Sequence, residues 1–382
     1  MRVVVPKEAA PGEKRISIVP ESIKRLAAKK IDLSIEAGAG VRTNFGDEDY
    51  RSAGATIEAT PEALFTSGDV VMRIRVPSVS DVAKLKEGSA LVSPIFPLVN
   101  LDLVRALAAR KITTISVDSI PRTTVAQMMD VLSSQATCSG YYAVLTAAAH
   151  LPRFFPMLIT AAGTIAPAKV LVLGAGVAGL QAIGTARRLG AVVEGFDVRK
   201  VVKEQIESLG AKFVDVGVTE DAQTASGYAK EMSEDAKKRQ AEVLAKHIAK
   251  SDVVITTALI PGKRAPILIT EEMVKSMKPG SVIVDLAAEQ QGNCECTAPG
   301  AIVVKHGVTI IGELDVPSHV SMHASQMYSR NMEKLLFHLS TDGALKIDLT
   351  EEITKGCVIT HAGEIVHAVV SAKANEPLKE TA

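Results

Sequence analysis

One glycine-rich turn constrains the fold of this 382-residue chain more than any other feature of the sequence. Residues 170–173 read Val-Leu-Val-Leu, which predicts a buried parallel strand, and residues 180–189 predict an apolar helix. The pattern Gly-x-Gly-x-x-Gly between them consists of Gly174, Gly176 and Gly179. Gly174 allows the tight turn, Gly176 lets the backbone approach a pyrophosphate, and Gly179 lets helix and strand pack closely. The stretch therefore predicts a strand–turn–helix that binds a dinucleotide at the positive end of the helix.

An acidic residue ends the next predicted strand, which covers residues 191–196. Asp197 lies at about the spacing expected for a carboxylate that accepts a hydrogen bond from a ribose 2′-hydroxyl. Its negative charge would repel a 2′-phosphate, so it favours NAD(H) over NADP(H). Arg199 follows two residues later and would offset part of that repulsion. The alternative interpretation of this stretch is a glycine-rich turn in an ordinary βα unit.

Composition argues against several other classes of protein. The 43 Lys and Arg residues balance the 43 Asp and Glu residues, and no basic stripe stands out, so we expect no nucleic-acid partner. Residues 1–6 predict a strand rather than a signal peptide, and no uninterrupted apolar run reaches membrane-spanning length, so we expect a soluble chain. The four cysteines are scattered, which suits a reducing compartment, and Cys294-x-Cys296 has no second pair nearby, so no metal site is predicted.

The order of predicted elements indicates an α/β protein with two Rossmann-like, doubly wound parallel-sheet domains and a cleft between them. We expect the first domain to comprise residues 1–132 and 322–382, and the second residues 133–321. Strands of the first domain are expected at 3–5, 33–36, 70–74, 91–92 and 113–117. Strands of the second are expected at 170–173, 191–196, 213–216, 253–257, 282–286 and 308–311.

Two further segments affect the domain assignment. The apolar helix expected over residues 323–339 needs a partner and should pack back on the first domain. Residues 217–232 are too polar and too long for an ordinary connection, which indicates either a mobile lid or a surface insertion.

A dense polar segment follows the last strand of the first domain. Its members are Arg122, Gln127, Asp130, Ser133, Ser134 and Gln135. Burying such a set between two domains is unfavourable unless it meets a polar ligand or pairs internally. Its arginine and aspartate could hold a nicotinamide carboxamide. The chain has neither an HExxH pattern nor a nucleophile elbow, and hydride transfer between two nicotinamides needs little acid–base help, so positioning would carry most of the catalysis.

Several motifs together carry a resemblance to a known family. They are Pro6-Lys7-Glu8 with Pro11-Gly12-Glu13, the loop from Pro121-Arg122 to Gln135, Gly174 to Gly179 with Asp197-Val198-Arg199, the segment from Ser226 to Met232, and the segment from Thr256 to Gly262. Over nearly its whole length the chain resembles the NAD(H)-binding component, domain I, of proton-translocating nicotinamide nucleotide transhydrogenase, within the alanine dehydrogenase/transhydrogenase family.

The resemblance implies an activity and its site residues. The enzyme would be a Si/Re-specific transhydrogenase that passes hydride directly between NADH and NADP⁺ and is active only with partner subunits. Its implied catalytic residues, at the nicotinamide end, are Arg122, Gln127, Asp130 and Ser133. The NAD(H)-binding residues would be Arg122, Gln127, Gly174, Ala175, Gly176, Val177, Gly179, Asp197, Val198, Arg199, Tyr228, Ala258 and Leu259. Tyr228 would tip a closing loop, which favours the lid interpretation of residues 217–232.

The resemblance also implies partners and a location. The chain would form a homodimer and dock a separate domain that binds NADP(H). Membrane-spanning transhydrogenase subunits would carry the proton path, which places this chain in the cytoplasm, peripheral to the inner face of the bacterial inner membrane.

Two alternatives stay open at the level of sequence. Alanine dehydrogenase, a related enzyme, needs a cation for the substrate carboxylate and a histidine as acid–base. The lysine position reads Arg73, and the histidine region, residues 93–97, reads Ser-Pro-Ile-Phe-Pro, which removes the acid–base group and is unusual for either family. The other alternative is a non-catalytic module that binds NAD(H) and reports its level to a partner.

Overall fold

The computed structural model describes residues 1–217, 233–259 and 264–376. The chain divides into two compact units, one formed by Met1–Gln135 with Val320–Ala382 and the other by Ala136–His319. Among the residues so described, no helix combines the length and apolar character needed to cross a membrane. Tyr228 and most of the segment interpreted as a lid lie outside the described residues.

Strands and helices alternate along the chain, as the apolar runs of the sequence predict. The first unit begins with β1 (Arg2–Val5), α1 (Pro20–Ala27), β2 (Asp32–Glu36), α2 (Asp47–Ala53), β3 (Thr56–Glu58), α3 (Pro61–Ser67), β4 (Val70–Met72), α4 (Val79–Val82), β5 (Ala90–Ser93), α5 (Leu101–Ala109) and β6 (Thr113–Ser116). Helix α6 (Val131–His150) begins in the first unit and ends in the second.

The second unit continues with β7 (Leu158–Thr160), β8 (Gly163–Ile165), β9 (Lys169–Leu173), α7 (Val177–Arg188), β10 (Val192–Phe196), α8 (Lys203–Ser208), β11 (Lys212–Phe213), α9 (Glu234–Ile248), β12 (Val253–Thr256), α10 (Glu271–Ser276), β13 (Val282–Asp285), β14 (Ile302–Lys305) and β15 (Val308–Ile311). The C-terminal segment of the first unit holds α11 (Ser321–His338), β16 (Ser340–Thr341), β17 (Ala344–Leu345), α12 (Glu352–Cys357), β18 (Val358–His361), β19 (Glu364–Ile365) and α13 (Ala368–Ala374).

Within the described residues, eight strands of the first unit form one sheet in the order β19-β18-β6-β5-β4-β1-β2-β3. The strands from β6 to β3 are parallel, whereas β18 from the C-terminal segment joins β6 in antiparallel fashion. The central strands β1, β4 and β5 are buried, as expected for a sheet covered by helices on both faces. This architecture confirms the predicted α/β class for the first unit, and it adds β3 and the antiparallel edge.

The C-terminal helix packs on the first unit, as its apolar face predicts. Helix α11 begins at Ser321 rather than at residue 323, and its Ser325 hydroxyl accepts a hydrogen bond from the backbone N–H of Ile16 at 3.0 Å. Glu333 on the same helix pairs with Arg25 at 2.8 Å. Residues more than 300 positions apart in sequence therefore form one core.

Helix ends in the first unit show where local rules hold and where they fail. Helix α1 begins at Pro20 as predicted, because a first-turn residue needs no backbone donor. Asn100 does precede α5, but its side chain does not cap the helix, so that element of the prediction is wrong. The Asn100 amide instead donates to the carbonyl of Ile95 at 2.7 Å, which ties the helix to the preceding loop.

Among the residues described in the second unit, seven strands form a sheet in the order β11-β10-β9-β12-β13-β15-β14. The sheet is parallel except for β14, which pairs antiparallel with β15. Chain order reverses between β9 and β12, and this crevice at their carboxyl ends is where a doubly wound sheet binds ligands. All six strands predicted for this unit occur, although β11 is short; β14 and the β7–β8 hairpin are additions.

The segment predicted as a broken helix before the second unit takes a different form. A 3₁₀ turn covers Ala126–Met129, and α6 then runs without a break. Asp130 explains the start of α6, because its carboxylate accepts hydrogen bonds from the backbone N–H of Ser133 at 2.9 Å and from its hydroxyl at 2.6 Å. The expected break near residues 132–139 is therefore wrong.

Candidate nucleotide site

The three glycines of the turn after β9 have different structural reasons. Gly174 has a φ of +100°, a left-handed conformation that favours glycine. A Cβ built on Gly179 would lie 1.8 Å from the carbonyl oxygen of Gly174, so only glycine permits this close approach of helix and turn. Gly176 has an ordinary φ of −75°, and no heavy atom of the described residues lies within 4 Å of a Cβ built there. Gly174 and Gly179 thus have the conformational roles predicted from the sequence, whereas the packing of the described residues gives no reason for a glycine at 176.

The helix after the turn presents its N-terminus at the same place. Helix α7 begins at Val177, three residues before the predicted start, with Gly176 as its N-terminal flanking residue. The first backbone N–H groups of a helix have no partner within it, so those after Gly176 are available to an anion. The early start also explains Gly179, which is inside the helix and faces the turn. The open space at Gly176 and these N–H groups fit a pyrophosphate.

The segment after β12 lies against this turn, as the reversal of strand order requires. Thr257 donates its hydroxyl to the carbonyl oxygen of Gly174 at 3.0 Å. The backbone nitrogen of Ala258 lies 3.3 Å from the position of a Cβ on Gly174. Leu259 follows and is 45% exposed. Two separate segments of the predicted site, residues 174–179 and residues 258–259, are therefore neighbours.

Asp197 lies at the end of β10, but its carboxylate is already hydrogen-bonded. Oδ1 accepts from the backbone N–H and the Nε of Arg199, both at 2.9 Å. Oδ2 accepts from the backbone N–H of Ala175 at 2.8 Å and from Arg199 Nη2 at 2.9 Å. These bonds to Asp197 raise the pKa of Arg199. A carboxylate has about four lone-pair sites, so a ribose hydroxyl would reach Asp197 by replacing the Arg199 side chain.

A cleft opens beside Asp197 at the carboxyl ends of β10 and β11. It is lined by Asp197, Val198, Lys200, Lys203, Phe213, Asp215 and Val216. Sequence reasoning singled out only Asp197 and Val198 from this set. The signal for the others is their position directly after two neighbouring parallel strands, together with the two lysines, whose charges attract phosphate groups.

The residues predicted for the nicotinamide end belong to the first unit, or to the start of α6. Asp130 and Ser133 hydrogen-bond to each other, so Asp130 has a structural role as the cap of α6 in addition to any role in binding. Arg122 and Gln127 are exposed. Three apolar side chains near Gln127 are exposed as well: Val125 by 61%, Met128 by 58% and Leu132 by 38%.

Arg73, at the position where alanine dehydrogenase would carry its lysine, is held by acidic groups of its own unit. Its guanidinium contacts Asp81 at 3.2 Å and Glu8 at 3.5 Å, and its side chain is 12% exposed. Burial raises the pKa of Glu8, while the charge of Arg73 and the N–H of Ile74 act in the opposite direction. Arg73 therefore serves this buried cluster.

The unusual stretch at residues 93–97 has a physical explanation in Asp118. Its carboxylate accepts hydrogen bonds from the backbone N–H groups of Ile95 at 2.7 Å and Phe96 at 3.2 Å. Ser116 donates its hydroxyl to the same carboxylate at 2.6 Å. Phe96 has a φ of +47°, which is uncommon for a bulky residue, and Asp118 stabilises this strained conformation.

The cysteines are free thiols in the structure. Burial raises the pKa of Cys294 to about 12, and Cys296 is partly exposed. Across the described stretches of the chain, no three His, Cys, Asp or Glu side chains group in a way that could hold a metal ion.

Comparison with known proteins gives consistent results over the whole chain. The family profiles "Alanine dehydrogenase/PNT, N-terminal domain" and "Alanine dehydrogenase/PNT, C-terminal domain" match residues 4–139 and 143–368. The chain is 48% identical to the first of the two-piece NAD(P) transhydrogenase alpha subunits of Rhodospirillum rubrum, over 98% of this chain and all of that one. It is 42% identical to NAD(P) transhydrogenase subunit alpha of Haemophilus influenzae, over all of this chain and 75% of that one.

Solved structures show the same relationship. Transhydrogenase from Sinorhizobium meliloti aligns with a TM-score of 0.87 and 42% identity, over 96% of this chain and all of that one. An L-alanine dehydrogenase aligns with a TM-score of 0.80 at 23% identity, over 98% and 99% of the two chains, which shows a shared fold.

Proposed function

This chain belongs to the alanine dehydrogenase/PNT family, among the alpha subunits of NAD(P) transhydrogenase, and from this premise we propose that it is the NAD(H)-binding subunit of a proton-translocating transhydrogenase. The observation that carries the proposal is the open space at Gly176, next to the N-terminus of α7 and the segment after β12. This arrangement fits a pyrophosphate at the crevice where the sheet order reverses.

The second unit supplies the groups that would hold the nucleotide. Backbone N–H groups at Gly176 and Val177 would bind the pyrophosphate, with Gly174, Ala175 and Gly179 shaping the turn. Asp197, Val198 and Arg199 would frame the adenosine ribose, with the Arg199 side chain moving off Asp197 to admit the hydroxyl. Ala258 and Leu259 would line the pocket. Tyr228, which lies outside the described residues, stays a predicted contact of a closing loop.

The first unit, with the start of α6, would hold the nicotinamide. Bound NAD(H) supplies the hydride, and Arg122, Gln127, Asp130 and Ser133 would orient the ring that carries it. Hydride passing between two nicotinamide rings leaves no oxygen or nitrogen to protonate, so the site needs no acid–base residue. The stereochemistry is expected to be Si/Re-specific.

Surface features support the proposed partners. Gln127 lies among the exposed apolar side chains Val125, Met128 and Leu132, a composition that suits docking of the domain that would bind NADP(H). The β7–β8 hairpin is also apolar and exposed, with Ile159 exposed by 77% and Ile165 by 43%, which supports self-association as a homodimer. Membrane-spanning subunits would carry the protons and place this chain peripherally at the inner face of the bacterial inner membrane.

Two measurements test the proposal. The first is titration of the chain with NADH and with NADPH by nucleotide fluorescence; clearly tighter binding of NADH is expected. The second adds a purified NADP(H)-binding domain and follows reduction of an NAD analogue by NADPH, which should occur only in the mixture. Binding of NADH without turnover would support a sensing module instead. Oxidation of NADH by the chain alone with pyruvate and ammonia would indicate an alanine dehydrogenase.

A further inference from the structure

A fully buried asparagine holds the segment after β12 from both sides of one peptide unit. Asn293 has no exposed surface, and its Oδ1 accepts a hydrogen bond from the backbone N–H of Ala258 at 3.0 Å. Its Nδ2 donates to the carbonyl oxygen of Ala258 at 2.9 Å and to that of Pro266 at 2.7 Å. One amide side chain therefore fixes a loop at Ala258 and again eight residues later.

Asn293 is itself held by a buried carboxylate at the end of β13. Asp285 Oδ2 accepts from the backbone N–H of Asn293 at 2.8 Å and from the hydroxyl of Thr297 at 2.7 Å. Its Oδ1 accepts from the hydroxyl of Thr256, the last residue of β12, at 2.9 Å. Asp285 is 1% exposed, so these bonds form away from water, where leaving any of them unmade is costly.

The held residue lies where the nucleotide is proposed to bind. Ala258 borders the turn at Gly174, and Thr257 beside it is bonded to the carbonyl of Gly174. We propose that Asn293 is a positioning residue of the nucleotide site, which keeps Ala258 against the glycine turn before the nucleotide arrives. This inference rests on the proposed function, because it assigns Asn293 a role in the same site.

The physical effect is preorganisation. Ordering a loop residue when a ligand binds subtracts from affinity, and a loop ordered in advance avoids that loss. Asn293→Ala removes all three side-chain bonds to the loop while leaving the backbone N–H of residue 293 on Asp285. We expect the dissociation constant for NADH to rise by about tenfold, since the order of one or two loop residues must then come from binding.

Thr297→Val is the matched control. Valine keeps the shape of threonine and removes one hydrogen bond to Asp285, but Thr297 has no bond to Ala258 or Pro266. Both variants should lower the unfolding temperature, because both weaken one buried network. Titrations with NADH well below both unfolding temperatures should show a large loss of affinity for Asn293→Ala and less than about threefold for Thr297→Val. A merely structural role would instead reduce affinity in both variants in line with their stability.

Hydrogen exchange in the unaltered chain gives a second measurement, which decides the matter if Asn293→Ala does not fold. Without nucleotide, the amide of Ala258 should be protected to a degree similar to that of Thr256 in β12. Free exchange at Ala258, or equal NADH affinity in Asn293→Ala and the unaltered chain, would overturn the inference and leave the proposed function standing. Failure of the unaltered chain to bind NADH, with Ala258 protected, would overturn the proposed function and the role of Asn293 together.

Discussion

Two glycine-to-alanine substitutions, three residues apart, should have opposite effects on stability and on nucleotide binding. In Gly179→Ala, the new Cβ would lie 1.8 Å from the Gly174 carbonyl oxygen, about 1.5 Å inside an ordinary carbon–oxygen contact. The obstacle is backbone, which cannot turn aside as a side chain would. We expect a loss of about 3 kcal/mol or more, which lowers the unfolding midpoint of the second unit by about 6 to 12 °C.

In Gly176→Ala, the new methyl group meets none of the described residues within 4 Å, and the φ of −75° suits alanine. Alanine reduces the entropy of the unfolded chain, which stabilises by about 0.4–1 kcal/mol, but it is a poorer residue than glycine before a helix. These effects nearly cancel, so the unfolding midpoint should change by less than about 3 °C. The methyl group would stand where the pyrophosphate is proposed, so affinity for NADH should fall at least about tenfold, or 1.4 kcal/mol.

The assay for both variants is thermal unfolding by circular dichroism, followed by NADH titration at a temperature where each is folded. Wild-type affinity for NADH in Gly176→Ala would refute the placement of the pyrophosphate over this residue. A wild-type unfolding midpoint in Gly179→Ala would refute the argument from the 1.8 Å contact.

Three other substitutions test the remaining features of the site and the fold. Asp197→Ser removes the charge that disfavours a 2′-phosphate, so the ratio of NADH to NADPH affinity, measured by fluorescence titration, should fall by about tenfold. Asp130→Asn keeps a good cap for α6, so NADH affinity should stay within about threefold while hydride transfer with the partner domain slows by about tenfold or more. Although desolvation opposes it, hydrogen bonds from Ile353 and Thr354 lower the pKa of Glu351 to about 2. Glu351→Gln should therefore be less stable than the unaltered chain in urea at neutral pH, and this difference should shrink as pH falls from about 5 to about 2, because a lowered pKa stabilises only above that range.

Each of these three substitutions has a control. An unchanged nucleotide preference in Asp197→Ser would assign the discrimination to other groups in the cleft, such as Lys200 and Lys203. Asp130→Ala should also destabilise α6 by about 1 kcal/mol, and an unchanged rate in Asp130→Asn would place the nicotinamide elsewhere. A gap between Glu351→Gln and the unaltered chain that stays constant with pH would contradict the role given to the Glu351 charge.

The elements of the fold predicted from sequence are those specified by local pattern. Residues 170–173 form a strand because four apolar residues in a row suit a sheet covered on both faces. The strand β14, by contrast, alternates little and is largely exposed, so its residues give no burial signal. The predicted break in α6 is wrong because no helix-breaking residue lies there, and the Asp130 cap sets its start instead.

The candidate site was predictable where glycines define it and obscure where distant residues do. Gly174 and Gly179 have the conformations that the motif requires. Arg199 was predicted beside Asp197, but its occupation of both carboxylate oxygens depends on side-chain geometry that spacing does not reveal. Asn293 was missed because its bonds reach back 35 residues to Ala258, and nothing in its immediate sequence indicates a partner.

The return of α11 and β18 to the first unit has a consequence for biosynthesis. Ile16 finds its partner Ser325 only after 309 further residues have been made, and β6 likewise waits for β18. Residues 136–319, all contained in the second unit, leave the ribosome before that segment. The nascent second unit can therefore mature first, while the amino-terminal sheet keeps an open edge until translation is almost complete, which is when this polypeptide is most exposed to aggregation.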